Sequence, residues 1–327
     1  MEGFIHGELN DFIPWYDTDG NEINVSDGGI IYVDGVYHWY GMQLRDLLMK
    51  HGGPGGQVTT TGVAMYASTD LMNWRYEGII LPCSTDPDHD LYAPMRFERP
   101  KIIHNPRTGQ FVLWCHYVCY PGDHGDTPGT AEAGLAVCDT VNGQYQWQGY
   151  CRPIDDLGLV RDNTVYQDRN GDAYYIYDRM TAADDRCLYI VKLSDDYLSF
   201  TNEYRRIDAA FWREAAAVVY HDGYYYMITS DLTSWDFNQA KYFRTRDLMG
   251  EWEDMGDPCI GDEDHQTFHS QTTFIFKVEG QEDLYIHMAE RHNTRSFLHC
   301  SYIWLPIDFH PDHTLSLRYR TVWHLEK

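Results

Sequence analysis

Short apolar stretches alternate with polar turns along the whole chain, and one pattern of positions occurs five times. In each copy a polar residue precedes a short apolar strand, a turn ending in glycine follows, and an aromatic-rich strand comes next. The copies begin at Asp27, Glu98, Asp162, Glu214 and Gln271, and their turn glycines are Gly35, Gly109, Gly171, Gly223 and Gly280. This regular spacing indicates five copies of one β-hairpin module.

A second pair of short strands follows each hairpin, as in GVAMYASTDLMNWRYEGIIL after the first copy. Two hairpins per repeat make a four-stranded antiparallel sheet, and such sheets repeated radially form a propeller. We therefore predict an all-β fold, a five-bladed β-propeller with four-stranded blades around a central channel. A β-sandwich built of generic hairpins is the alternative, but it gives no reason for the equal order within modules. No linker-like segment divides the chain, so we expect residues 1–327 to form a single domain.

The net charge of the chain limits the classes of binding partner that we expect. The chain has 25 Lys plus Arg against 50 Asp plus Glu, a formal net charge of −25, and no dense basic patch. Phosphate backbones and anionic membranes repel such a chain, so nucleic acid and membrane partners are not expected. No apolar stretch approaches the ~18 residues of a membrane span. The amino terminus lacks a secretory signal pattern, so we expect a cytoplasmic protein or a secreted one whose signal has been removed.

The eight cysteines are scattered along the chain and have no zinc-type spacing. They are predicted to be buried free thiols rather than disulfides. The cysteines are Cys83, Cys115, Cys119, Cys138, Cys151, Cys187, Cys259 and Cys300.

The five leading residues of the modules are four carboxylates and one amide. In a propeller the innermost strand of every blade starts at the same mouth of the channel, so these side chains are expected to converge there. Crowded carboxylates raise the pKa of at least one member, which lets one acid stay protonated while another is ionised. Cleavage of a glycosidic bond requires this division of roles.

Structural explanations compete with this interpretation at single positions. Asp27 precedes two glycines and fits a turn, and Glu98 fits an ion pair with the adjacent Arg99. Asp162 likewise follows an arginine. Glu214 enters the apolar run AAAVV, where a lone carboxylate has little structural reason to occur, so a functional role is favoured there.

These residues resemble glycoside hydrolase family 43, five-bladed propeller enzymes that release terminal sugars with inversion. The resemblance covers nearly the whole chain. It implies that Asp27, in DGGIIYVDGVYHWYG, is the catalytic base and that Glu214, in REAAAVVYHDGYYYMITS, is the acid. It also implies that Asp162, in RDNTVYQDRNGDAYYIY, orients the acid and tunes its pKa.

Within that family the phrases WYDTDGNEINV, FERPKIIHNPRTG, SWDFN and SQTTF resemble the branch of exo-β-1,3-galactanases. The branch implies that Glu98 contacts substrate and offers Gln271 as a replacement for a missing base. It usually has glycine where Asp27 stands and glutamate where Met42 stands. Asp27 and Gln271 are therefore alternative bases, and Asp27 is preferred because a carboxylate is the stronger proton acceptor at neutral pH.

Other side chains around the mouth are candidates for binding sugar. Trp235 and Tyr40 are expected to stack on the ring, and Thr233, Asn238 and Arg291 to bind hydroxyls. Packing and structural hydrogen bonding are the alternative roles. Residues 42–60 and 120–132 are Gly-rich and polar and are expected to form mouth loops.

Four of the 16 histidines lie near the fifth module and could help to hold a metal: His265, His269, His287 and His292. Their spacing carries no zinc signature, so structural roles are favoured and no metal ligand is assigned. The resemblance allows a calcium ion in the central channel. Inverting hydrolysis requires no cofactor.

Taken together, the chain is expected to be an inverting, exo-acting glycoside hydrolase. Its expected partner is an oligosaccharide or polysaccharide, with terminal galactose released from β-1,3-galactan or arabinogalactan-type plant glycans. One alternative is an α-L-arabinofuranosidase or a related furanosidase or xylosidase, suggested by Asp27 with Met42. The other is a propeller that binds carbohydrate without catalysis.

Overall fold

Five antiparallel sheets surround a common axis in the computed structural model, which describes residues 3–44, 60–92, 96–119, 130–155, 158–182, 185–293 and 299–325. The first blade contains β2 (Ser26–Val33), β3 (Val36–Leu44), β4 (Thr60–Ser68) and β5 (Arg75–Pro82). The second contains β6 (Arg96–His104), β7 (Phe111–Cys119), β8 (Thr130–Cys138) and β9 (Gln146–Cys151). The third contains β10 (Leu159–Gln167), β11 (Ala173–Ala182), β12 (Asp185–Leu193) and β13 (Phe200–Phe211).

The fourth blade contains β14 (Arg213–His221), β15 (Tyr224–Asp231), β16 (Lys241–Thr245) and β17 (Glu253–Gly256). The fifth contains β19 (Gln271–Lys277), β20 (Tyr285–Arg291), β21 (Ser301–Phe309) and β22 (Leu315–Arg318). A short strand, β18 (Cys259–Ile260), adds to the outer edge of the fifth blade by pairing parallel with β22. The predicted five-bladed propeller is confirmed, with this one additional strand.

The turn glycines act as the repeat predicted. All five have φ between 76° and 86°, a left-handed conformation that glycine adopts without steric cost. Each lies between the first and second strands of its blade. The spacing of the repeat therefore located the innermost hairpin of every blade.

The innermost strands β2, β6, β10, β14 and β19 lie next to one another in a ring. Each one departs from regular pairing with its neighbour close to the start of the strand. The shifts lie between Ser26 and Gly29, Glu98 and Lys101, Val160 and Asn163, Glu214 and Ala217, and Thr272 and Phe274. A bulge bends a strand and redirects a side chain. All five inner strands therefore have such an irregularity beside the leading residue of the module.

Aromatic packing closes the ring between the fifth and first blades. Strand β1 (Phe4–Ile5) pairs with β23 (Val322–Trp323), and the ring of Phe4 stacks on Trp323 with centroids 4.4 Å apart. Buried tryptophans from both blades fill the space beneath them: Trp15, Trp39, Trp74 and Trp304. The Tyr302 hydroxyl donates to the carbonyl of Ile23 at 3.0 Å and accepts from the Val25 amide at 3.1 Å. The two ends of the chain are thus fastened to the same seam.

The cysteine prediction is correct for bonding but only partly for burial. The seven cysteines whose side chains the structure describes are free, and Cys119 lies outside that set. Cys151 is exposed and Cys83, Cys138 and Cys259 are half-buried, because they lie on outer strands or loops. Among the described residues, no helix is long and apolar enough to cross a membrane.

We expect Tyr302→Phe to lower the free energy of unfolding by about 2 kcal/mol, because it leaves a buried amide and a buried carbonyl without their partner. Chemical denaturation followed by tryptophan fluorescence measures this loss. Tyr204→Phe is the matched control, since the Tyr204 ring is half exposed on the surface. Equal stability of both variants would show that the seam does not depend on the Tyr302 hydroxyl.

Candidate active site

A pocket of about 490 Å³ opens at the end of the ring where the inner strands begin. All five leading residues of the modules line it: Asp27, Glu98, Asp162, Glu214 and Gln271. Its volume lies within the usual range for sites that bind a small ligand. The repeat and the bulges therefore bring side chains from every blade to one cavity.

Glu214 lies almost fully buried in this pocket. Its Oε2 accepts a hydrogen bond from Arg186 Nη2 at 3.2 Å, and its Oε1 accepts one from Gln271 Nε2 at 3.4 Å. Burial raises the pKa of Glu214 well above its usual value, and the negative charge of Asp162 adds to the increase. Arg186 opposes this shift without cancelling it. These influences favour the protonated form of Glu214, which is the form that a proton donor requires.

A second buried carboxylate lies behind Glu214. Arg186 pairs with Asp178 as well as with Glu214, so one guanidinium serves two acids. Burial raises the pKa of Asp178 to about 6, while Arg186 lowers it. The charge of Arg186 is therefore shared, which limits how far it can favour the ionised form of Glu214.

Arg99 is the centre of the hydrogen-bond network. Its Nε donates to Asp162 Oδ2 at 2.5 Å and its Nη2 donates to Gln271 Oε1 at 2.9 Å. Its Nη1 donates to the carbonyl of Thr272 at 3.0 Å. Arg99 Nη2 also lies 3.7 Å from Asp27 Oδ1. A single buried cation thus links side chains from the first, third and fifth blades.

Glu98 and Arg99 have different partners, which does not fit the ion pair that was the structural alternative for Glu98. Glu98 Oε2 lies 3.1 Å from His116 Nδ1 of the neighbouring strand, whereas Arg99 turns to Asp162 and Asp27. Arg99 has a φ of 49° within the bulge, so two consecutive residues project in directions that a regular strand would not allow. Glu98 remains on the pocket wall, where a substrate can reach it.

Asp27 is 2% exposed and has a φ of 56°. Its Oδ1 has no hydrogen-bond partner among the described residues, although Arg99 lies 3.7 Å and His292 3.8 Å away. Burial raises the pKa of Asp27 to about 6, against the lowering influence of Arg99. Asp27 is ionised above that pH and retains an unused acceptor atom.

Gln271 has both ends of its amide engaged. The oxygen accepts from Arg99, and the nitrogen donates to the Ser230 hydroxyl at 2.9 Å as well as to Glu214. Proton uptake by Gln271 would have to disrupt this arrangement, because the oxygen already faces a cationic donor. The geometry fits a side chain that positions its neighbours.

Trp235 and Thr233 line the pocket on the loop that follows β15. The Trp235 ring meets His292 edge-on, with centroids 4.9 Å apart. It also packs against a buried cluster that contains Met42 and Leu44. Trp235 is therefore backed by solid packing and keeps one side toward the cavity.

Three predicted binding residues do not line the pocket. Tyr40 is fully buried between blades, and its hydroxyl accepts from the Ile102 amide at 2.9 Å. Arg291 is also fully buried and donates to the carbonyls of His269 and Phe268. Asn238 supports the Trp235 loop, because its amide nitrogen donates to Thr233 Oγ1 at 2.7 Å. Direct sugar binding is thus wrong for Tyr40 and Arg291, and Asn238 acts through the loop.

Several pocket residues were not predicted as site residues from the sequence: Arg99, His116, Arg161, Arg186, Leu232, Ser234 and Asp236. Only strand register could have located two of them. His116 lies opposite Glu98 in the pairing of β6 with β7, and Arg186 reaches the site from the third strand of its blade. The loop residues flank Trp235, which was the available signal for that segment.

His265, His269 and His287 do not form a calcium site. His265 and His269 pair with Asp257 and Asp264. His287 is buried, its Nε2 lies 2.9 Å from the Thr272 hydroxyl, and burial lowers its pKa to about 3. One imidazole and one hydroxyl do not supply the six to eight oxygen ligands that Ca²⁺ takes. The donor set around His287 therefore does not fit the ion.

Two clusters of carboxylates and imidazoles occur among the described residues: Asp27, Glu290 and His292, and Glu98, His116 and Asp162. Both lie beside cations, because Arg99 contacts Asp27 and Asp162 and the Lys101 ammonium binds the backbone of Asp27. Because these cations offset part of the negative charge, neither cluster is assigned a metal.

The chain is similar in sequence and structure to known glycoside hydrolases. The sequence profile described as glycosyl hydrolases family 43 matches residues 24–315. A β-1,3-galactosidase of that family, solved with galactodeoxynojirimycin, is 30% identical with a TM-score of 0.84 over 96% of this chain and 99% of the other. An exo-β-1,3-galactanase from Clostridium thermocellum is 29% identical with a TM-score of 0.79 over 98% of this chain and 66% of the other.

A third solved structure extends the comparison to a fungal protein. The exo-β-1,3-galactanase from Phanerochaete chrysosporium, solved with galactose, is 25% identical with a TM-score of 0.80 over 99% of this chain and 68% of the other. A search of curated proteins returns no match.

We expect Asp27→Asn to stabilise the protein at neutral pH and to have little effect near pH 4. The folded-state pKa of about 6 exceeds the value of 3.8 expected in the unfolded chain, so the folded protein holds this proton more tightly. The stability that Asp27 contributes is therefore complete below pH 4 and is lost as the pH rises through 6.

The difference between the unfolding free energies of variant and parent should grow by about 2 kcal/mol from pH 4 to pH 8. Urea unfolding at several pH values measures it, and Asp19→Asn, an exposed carboxylate, is the control. A difference that does not change with pH would contradict the burial of an ionisable Asp27.

Proposed function

Because this chain belongs to glycoside hydrolase family 43, we propose that it releases terminal galactose from β-1,3-galactan or arabinogalactan-type glycans with inversion. The chain is a glycoside hydrolase. The observation that carries the proposal is one pocket that holds both the buried Glu214, whose pKa is raised by burial, and Asp27, whose Oδ1 has no hydrogen-bond partner among the described residues. Both halves of an acid–base reaction are thus present in one cavity.

In the proposed reaction Glu214 gives its proton to the glycosidic oxygen as the bond from that oxygen to the anomeric carbon breaks. Asp27 takes a proton from a water molecule, whose oxygen forms the new bond on the opposite face of the sugar. The configuration at the anomeric carbon is therefore inverted. Solvent returns the proton to Glu214 and removes the one on Asp27, which restores both groups.

Asp162 and Arg99 set the protonation states for this reaction. The charge of Asp162 raises the pKa of Glu214, and the guanidinium of Arg99 favours the ionised form of Asp27. Neither residue has to exchange a proton. Their function is to keep the two pKa values suited to opposite roles.

Asp27 is a better base than Gln271 in this site. A carboxylate accepts a proton directly, whereas the Gln271 amide would need an unfavourable tautomer. Arg99 already donates to the Gln271 oxygen and Ser230 accepts from its nitrogen, and both bonds stabilise the ordinary amide. Gln271 is therefore assigned to positioning Glu214 and Arg99.

Support for galactose comes from the similar solved structures, which are a β-1,3-galactosidase and an exo-β-1,3-galactanase. Trp235 offers an aromatic surface and Glu98 a carboxylate for sugar hydroxyls on the same pocket wall. Met42, which suggested a furanosidase, is buried beneath Trp235 and does not line the pocket. No observation in the site thus favours a furanose over galactose.

We expect the protein to release galactose from β-1,3-galactobiose and β-1,3-galactotriose, with the α anomer appearing first in the proton NMR spectrum. A panel of 4-nitrophenyl glycosides, including α-L-arabinofuranoside and β-D-xyloside, tests the specificity. Preferred cleavage of the arabinofuranoside would show that the enzyme is a furanosidase and not a galactosidase. Initial formation of the β anomer would contradict inversion.

We expect Glu214→Gln to reduce turnover by about 10³-fold or more while galactooligosaccharide binding stays measurable by calorimetry, because the amide cannot donate the acid proton. Glu203→Gln, on the exposed surface, is the matched control. Undiminished hydrolysis by Glu214→Gln would remove Glu214 as the acid. Binding without hydrolysis in the parent protein would indicate a carbohydrate-binding propeller.

A further inference from the structure

The backbone of Asp27 occupies an unusual position. Its φ of 56° lies in the left-handed region, which costs free energy for a residue with a side chain, and the pairing of β2 with β3 is interrupted there. Gly28 follows in very close contact, since a Cβ at that position would lie 1.5 Å from the Tyr40 carbonyl oxygen. Such a conformation persists only when surrounding groups hold it.

One of these groups is Glu290, from the second strand of the fifth blade. Its Oε1 accepts the amide hydrogen of Asp27 at 2.8 Å, and its Oε2 accepts the Ser26 hydroxyl at 2.6 Å. Glu290 is 2% exposed. Both oxygens of a buried carboxylate are therefore used on two consecutive residues at the bulge.

The other group is Lys101, from the innermost strand of the second blade. Its ammonium donates to the carbonyl oxygen of Asp27 at 2.7 Å, and its side chain is fully buried. Its second contact, to the carbonyl of Pro100, is longer at 3.4 Å. Burial lowers the pKa of Lys101 to about 7, against the raising influence of the nearby Asp27 and Glu290 carboxylates. The Lys101 amine is therefore held at the backbone of Asp27 by both hydrogen bonding and charge.

We propose that Glu290 and Lys101 are positioning residues that hold the backbone of Asp27 from its two sides and thereby aim its carboxylate at the attacking water. Glu290 fixes the amide from the fifth blade and Lys101 fixes the carbonyl from the second. The inference rests on the proposed function, in which Asp27 is the base. Neither residue lines the pocket, so each acts through Asp27 rather than on substrate.

A small rotation of this peptide would matter for catalysis. A single methylene group joins the Asp27 carboxylate to the backbone that Glu290 and Lys101 hold. A displacement of about 1 Å at a reacting group costs about 10²-fold in rate. Substrate recognition depends on other side chains, among them Glu98 and Trp235. Loss of the clamp should therefore reduce kcat much more than it raises KM.

The principal test is Lys101→Met, which keeps the length of the side chain and removes the donor. We expect kcat to fall about 10²-fold with KM changed less than about threefold. Lys192→Met, which removes a half-buried lysine paired with Asp172, is the matched control and should retain full activity. Circular dichroism and the unfolding midpoint establish that each variant is folded.

Glu290 provides the same test from the other side of the peptide. Glu290→Ala should lower kcat as Lys101→Met does, whereas Glu290→Gln should recover most of the activity, because an amide oxygen still accepts the Asp27 amide hydrogen. A residue needed only for folding would give similar kcat values in the folded fraction of both variants. That result would overturn the clamp at Glu290.

The decisive comparison uses Asp27→Asn, whose residual turnover is measured at high enzyme concentration. If Lys101 acts through the Asp27 carboxylate, Lys101→Met should cost about 10²-fold in the parent and little in the Asp27→Asn background. Equal costs in both backgrounds would overturn the inference and leave Asp27 as the base. Full turnover by Asp27→Asn alone would instead overturn the proposed base, and the inference with it.

Discussion

The structure depends on one constraint, the burial of many charges at a single mouth of the propeller. Asp27, Glu214 and Arg99 are each less than a tenth exposed, and Asp162 is pinned by a short hydrogen bond to Arg99. Buried charges are costly unless they are paired. Here there are too few cations for every acid, so at least one carboxyl must keep its proton. A catalytic acid follows from this shortage without any exceptional side chain.

The positions of Arg99 and Arg186 decide which carboxylates receive a cationic partner. Arg99 contacts Asp27, Asp162 and Gln271, whereas Arg186 is shared by Glu214 and Asp178. Glu214 receives only part of one cation and also faces the charge of Asp162. Asp27 lies beside Arg99 and has an intermediate pKa. Groups of the same chemical type thus acquire different protonation states from their neighbours alone.

Sequence reasoning located the fold and the five leading residues because both follow from periodicity. A repeated polar position before an apolar strand needs no knowledge of side-chain packing, and Gln271 was found as readily as Glu214. The partners were harder. His116 and Arg186 reach the site through cross-strand register, which one sequence does not encode locally.

The errors have physical causes too. Tyr40 lies on an aromatic strand whose side chains fill the space between blades, so its chemical type was a poor guide to its exposure. Arg291 was an attractive ligand for hydroxyls, yet it joins backbone carbonyls near the amino-terminal segment. The ion pair with Arg99 that was the structural alternative for Glu98 does not match the structure, because the bulge turns the two side chains to different partners.

The irregularity repeated at the head of every inner strand has a consequence for the pocket. It places one side chain from each of the five blades in the same cavity. What distinguishes the five positions is the set of neighbours that each one meets, as the different partners of Glu214 and Asp27 show.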